Sequence, residues 1–114
     1  MNKSVGFPKS ARLLNRQDFQ IRPCRRYRTP LFTFVYSTSG RGRLGVSLSK
    51  KVLRHAIARN RVKRLLRESF RKCRLELLGC DVHVMGTQEL AQCWRTLRAV
   101  DVKAEFDALI GQLH

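Results

Sequence analysis

The chain has 114 residues, 43% of them hydrophobic, and carries 24 Lys and Arg against eight Asp and Glu, for a net charge of +16 and a pI near 11.2. That length is one domain, long enough to bury roughly two-thirds of its unfolded surface without metals or disulfides. No apolar run reaches the 18 residues a membrane span needs. The charge opposes compaction, so it calls for a polyanionic partner: nucleic acid first, an acidic membrane surface second.

In chain order, residues 1–10 read as a loose arm of a single domain over 1–114. "MNKSVGFPKSARLLNRQDFQ" lacks the apolar core of a signal peptide, which predicts a cytoplasmic protein. "LLNRQDFQIR" predicts a short helix anchored by Leu13, Leu14 and Phe19 and ended by Pro23. "PCRRYRTP" reads as a basic connection. "LFTFVYST" (31–38) is β-branched and aromatic and predicts a strand; "LGVSLS" (44–49) predicts another, and the turn "SGRGRLG" joins them as a hairpin. A basic loop leads into a long helix, about 55 to 78, closed by Gly79. "CDVHVM" (80–85) is a third strand. Leu90, Cys93, Trp94 and Leu97 mark a short helix. Val102, Phe106, Leu109, Ile110 and Leu113 mark a second, with Asp101 as its N-cap. The order α-β-β-α-β-α-α predicts an α+β fold, a small sheet packed by helices.

Most chemistry-bearing motifs dissolve on inspection. "GRGRLG" (40–45) matches the dinucleotide fingerprint by letter, but a strand follows where a helix should open, and no acid stands about 20 residues on. Cys24, Cys73, Cys80 and Cys93 include no C-x-x-C pair, so neither zinc nor a disulfide is expected. His83 alternates with Val82 and Val84 in a strand. The acids are scattered, and Ser47 and Ser49 lack a nucleophile elbow. No side chain is assigned a catalytic or metal-binding role.

The long helix carries the signal. At 100° per residue, Val62, Leu65, Leu66, Phe70 and Cys73 share one sector, and Asn60, Arg64, Arg67 and Arg71 line the other. Lys63–Arg67 and Arg67–Arg71 are like-charge pairs four apart, which destabilise a free helix, and Glu68 is the one acid in reach. Such a row suits an anion. On the first strand Phe32, Phe34 and Tyr36 share a face. They read equally as core or as rings lining a groove that stacks on bases, with Phe19 posing the same choice.

"RLGVSLSKKVLRHAIARNRVKRLLRESFR" resembles the signature region of the bacterial ribonuclease P protein subunit. The resemblance rests on Arg59, Asn60, Arg61, Lys63, Arg64, Arg67, Glu68 and Phe70, after Ser49, Lys50 and Lys51, and on "RLLNRQDF" with Leu14 and Phe19; it covers about residues 7 to 85. It implies a ribosomal protein S5 second-domain type of fold with a left-handed βαβ crossover. It implies a single RNA-binding domain that is part of an endoribonuclease. The RNA subunit removes the 5′ leader of precursor tRNA by magnesium-dependent hydrolysis, and the protein, one copy per RNA, binds that RNA and the leader. Carried over, Lys50, Lys51, Arg59, Asn60, Arg61, Lys63, Arg64, Arg67 and Arg71 would meet the catalytic RNA, and Phe19, Phe32, Phe34 and Tyr36 would line the leader cleft. Magnesium would enter through the RNA alone. Leu53 and Arg54 depart from the glycine some members have there. Pro23 stands where an aromatic is frequent, and "GTQELAQCWRTLRAV" is longer and less basic than usual.

The rival reading is a ribosomal or other structured-RNA-binding protein with no processing role. A DNA-binding regulator would want a helix–turn–helix pair. A membrane-surface helix would need its apolar face free, and the strands claim it.

Overall fold

Of the 114 residues, the computed structural model describes 25–113. The predicted first helix, with Leu13, Leu14 and Phe19, lies outside the described residues. Among the described residues four strands make one mixed sheet: β1 (Arg25–Arg28), β2 (Phe32–Ser37), β3 (Leu44–Ser47) and β4 (Asp81–Gly86), in spatial order β1-β2-β4-β3. Among the described residues there are three helices: α1 (Ala56–Lys72), α2 (Gln88–Cys93) and α3 (Ala99–Leu113).

The expected hairpin of β2 with β3 does not form. β4 lies between them, antiparallel to β2 and parallel to β3. Val82 and Val84 are fully buried, and a strand of that kind belongs in the middle of a sheet, where both its ladders are satisfied. The 40–43 connection therefore passes over the start of β4 instead of turning back. Asp81 holds it: one carboxylate oxygen accepts the Arg41 and Arg43 N–H groups at 2.9 and 3.0 Å, and the other meets the Arg43 guanidinium at 2.7 Å. The glycines fit this arrangement. Gly42 has φ +77°, and a Cβ on Gly40 would stand 2.4 Å from the Asp81 Cγ.

"RRYR", read as a connection, is instead the edge strand β1, antiparallel to β2. Its one apolar side chain, Tyr27, packs against the core, and its arginines face water, which is how an exposed sheet edge avoids pairing with another chain. α1 ends at Lys72, short of Gly79; tight turns carry the chain to Gly79, which takes the left-handed conformation at φ +76°. Asp101 is not the N-cap of α3. It sits in the first turn and accepts the Arg98 N–H at 2.9 Å, the reciprocal half of a capping box.

The core lies between the sheet and α1 with α3. Val62, Leu66 and Phe70 of α1 and Val102, Phe106 and Leu109 of α3 are fully buried with Phe32 and Phe34. The Phe34 ring lies 5.4 Å from that of Phe106, which in turn lies 6.1 Å from Phe70. Cys73 and Cys80 are core thiols; burial and the neighbouring Asp81 charge push Cys80 up to about 11.

Candidate nucleic-acid interface

α1 is amphipathic, and its packing decides which residues it can offer. With Val62, Leu66, Ser69 and Phe70 buried, the turn is such that Asn60 and Arg64 stand exposed. Lys63 leans toward the sheet, where it lines a depression with Ser47, Ser49 and Met85. The helix start adds to the field. Among the described residues His55 makes no side-chain capping bond and the first turn holds no acid, so the positive end of the helix dipole adds to the charge of Lys50, Lys51 and Arg54, all exposed.

The predicted RNA-contacting set does not behave as one row. Asn60, Lys63, Arg64, Lys50 and Lys51 have no side-chain hydrogen bond or ion pair among the described residues. Arg59 and Arg61 are half-buried and turned to backbone carbonyls of their own chain. Arg71 pairs with Glu68 at 2.6 Å, which with Lys72 holds the Glu68 carboxyl below its ordinary value. Arg67 is half-buried and also has a partner within the protein.

Phe32, Phe34 and Tyr36, predicted for a leader cleft, are corrected by the structure. They share a face, as expected, but that face is the one covered by α1 and α3; they are 0%, 0% and 5% exposed. No ring surface remains for a base. Phe19, the fourth member, lies outside the described residues. One residue along each strand, the register brings Thr33, Val35, Ser47, His83 and Met85 together on the opposite face. They are half-buried, except Ser47, which is exposed, and Arg26 and Arg28 of β1 stand beside them. His83 Nε2 and Ser47 Oγ are 2.8 Å apart, and burial lowers the His83 pKa below its ordinary value, which keeps the ring neutral near pH 7. Strand alternation alone would have found this set, had the opposite phase been followed.

Charge is partitioned along the chain. Residues 25–74 hold sixteen Lys and Arg against Glu68, whereas residues 75–113 hold three against six acids. Among the described residues no three His, Cys, Asp or Glu side chains converge on a metal site, and no helix is long and apolar enough to cross a membrane.

A ribonuclease P family profile matches residues 7–113. The chain belongs to the ribonuclease P protein family. The ribonuclease P protein component of Burkholderia mallei is 44% identical over 87 residues, 72% of this chain and 62% of that protein, so the match spans under two-thirds of the relative's length. That of Legionella pneumophila is 39% identical over 90 residues, 75% and 77% of the two chains. Among solved structures, the RNase P protein of Thermotoga maritima superposes with a TM-score of 0.76 at 24% identity, covering 90% of this chain and 97% of that one. That of Staphylococcus aureus gives 0.71 at 22%, covering 92% and 96%. These two likenesses establish the α+β fold with its mixed sheet as that of the family.

Proposed function

We propose that the chain is the protein subunit of ribonuclease P. It binds the catalytic RNA with the exposed part of α1 and the adjoining 50–54 loop, and the 5′ leader of precursor tRNA with the outer face of the sheet. The observation that carries this reading is the concentration of cationic residues over 25–74, set on a family fold, with Asn60 and Arg64 exposed on α1 and Lys63 lining a depression with Ser47 and Met85 of the sheet. Phosphate contacts of this type supply affinity without sequence choice. The outer face, mildly apolar with polar partners and an arginine rim, suits an unpaired strand, whose bases are free to lie on a surface.

Hydrolysis in this reading belongs to the RNA and its magnesium. The described side chains form no His, Cys, Asp or Glu cluster that would hold the ion. What the protein contributes is neutralisation of crowded phosphates and a second grip on the substrate. One protein copy per RNA in the cytoplasm completes the reading. Adding the purified protein to the catalytic RNA at low magnesium should accelerate leader removal from precursor tRNA. Tight RNA binding without acceleration would favour a structured-RNA-binding protein with no processing role.

A further inference from the structure

The Arg-Asn-Arg segment of α1 splits into residues that point in different directions. Arg59 Nη1 donates to the Leu53 carbonyl at 2.8 Å and to the Arg54 carbonyl at 3.0 Å. Arg61 donates through Nε to the Trp94 carbonyl at 3.3 Å and through Nη2 to the Leu97 carbonyl at 2.5 Å. Asn60 between them is exposed, with no side-chain hydrogen bond among the described residues.

The four carbonyls belong to two segments that lack ladder partners. Leu53 and Arg54 close the loop that carries Lys50 and Lys51. Trp94 is the C-cap of α2, whose last carbonyls have no partner within the helix and carry its negative pole, and Leu97 lies in the connection that leads to α3. Arg59 places both N–H bonds of Nη1 on its two carbonyls, and Arg61 spans its pair through Nε and Nη2; a Lys ammonium, one bond shorter and a point charge, reproduces neither arrangement.

We infer that Arg59 and Arg61 are positioning residues of this interface. Arg59 holds the 50–54 loop against the first turn of α1, Arg61 holds the α2–α3 connection against the second, and Asn60 alone of the three is presented to RNA. The inference rests on the reading that α1 meets the catalytic RNA. Its consequence is quantitative. A phosphate ligand contributes to the steepness with which binding falls with salt. A clamp contributes to affinity by ordering Lys50, Lys51 and Arg54 beforehand, and leaves the number of phosphates met unchanged.

The test assembles the full-length protein with the catalytic RNA and measures Kd against salt for Arg59→Ala, Arg59→Lys, Arg61→Ala, Arg61→Lys and Arg64→Ala, each well below its unfolding midpoint. Arg64→Ala sets the scale of a ligand, a slope shallower by about 0.7–0.9 with an unchanged midpoint. The Arg59 and Arg61 variants, to Ala and to Lys alike, should lower the midpoint and weaken binding roughly 2- to 10-fold at the wild-type slope. A slope reduced as in Arg64→Ala would overturn the inference. So would Lys variants that match wild type, since an ammonium can replace a phosphate ligand. Affinity unchanged in the folded Arg59 and Arg61 variants would also overturn it, leaving them structural only. Should the Ala variants fail to fold, the Lys variants decide. Failure of the wild type to bind the RNA, or an Arg64→Ala slope equal to wild type, would instead sink the proposed function.

Discussion

On its inner face the sheet presents Phe32, Phe34 and Tyr36 to α1 and α3, and none is more than 5% exposed. One residue along each strand, the outer face presents Thr33, Val35, His83 and Met85, half-buried and of mixed polarity. The same strands thus carry two chemistries separated by a single step of alternation. The inner rings are spent on stability. They hold α1 so that Asn60 and Arg64 face outward. The outer face, which contributes less to the core, is the one we propose to meet a nucleic-acid strand. A large aromatic residue in a basic protein is therefore not in itself a sign of base stacking; the phase of its strand decides.

Several substitutions sharpen or break that contrast. Phe34→Ala should have the largest effect, a loss of about 3–5 kcal/mol in denaturant unfolding, because a ring packed on Phe106 leaves a cavity. Any Phe34→Ala protein that remains folded should keep the wild-type salt slope for RNA binding, since no ligand contact is removed. Asp81→Ala should cost about 1.5–3 kcal/mol, the worth of the charge-assisted bonds that tie the 40–43 connection to β4. Burial alone would raise the Asp81 pKa, but bonds from the Arg43 guanidinium and the Arg41 and Arg43 N–H groups bring it below its ordinary 3.8. Its contribution is therefore present above that pH and fades as pH falls through the lower folded value. An acid-unfolding curve for Asp81→Asn that overlays wild type would contradict this.

The smallest effect concerns His83. Burial lowers its pKa in the folded chain below the ordinary 6.5, so the unfolded chain takes up the proton first. Stability should be level above about pH 6.5 and decline below it, and His83→Gln should flatten that decline. Unfolding midpoints at pH 7.5 and 5.5 for the two proteins check it. An equal decline in both would place the titrating group elsewhere.

Much of the architecture was legible because it depends on periodicity. The apolar stripe Val62, Leu66 and Phe70 at helical spacing, and Phe32, Phe34 and Tyr36 at spacing two, predict α1 and β2, and both form. What periodicity cannot supply is partner choice. The hairpin of β2 with β3 was the local expectation, and it lost to β4, whose pairing runs from Ser37 with Asp81 to Phe32 with Gly86, far apart in the chain. β1 was missed because a four-residue edge strand buries only Tyr27, too little to leave a pattern. In the site, spacing identified the cationic helix but could not say which arginines turn inward. Arg59 and Arg61 look like Arg64 in sequence, and differ only because Leu53 and Leu97 bring carbonyls within reach. Whether Phe32, Phe34 and Tyr36 are covered was not legible for a related reason: alternation groups residues but does not say which group the helices will cover.

One comparison tests the proposed division of labour between α1 and the outer face. Holoenzyme reconstituted with Thr33→Glu, which sets a carboxylate on the outer face beside Arg28, is measured for affinity toward precursor tRNA with and without its 5′ leader. The account predicts unchanged assembly with the catalytic RNA, unchanged affinity for the leaderless tRNA, and a preference for the leader-bearing form reduced by about tenfold, the order expected of one repulsive charge near a phosphate. A preference equal to wild type, with the variant folded and assembled, would contradict it.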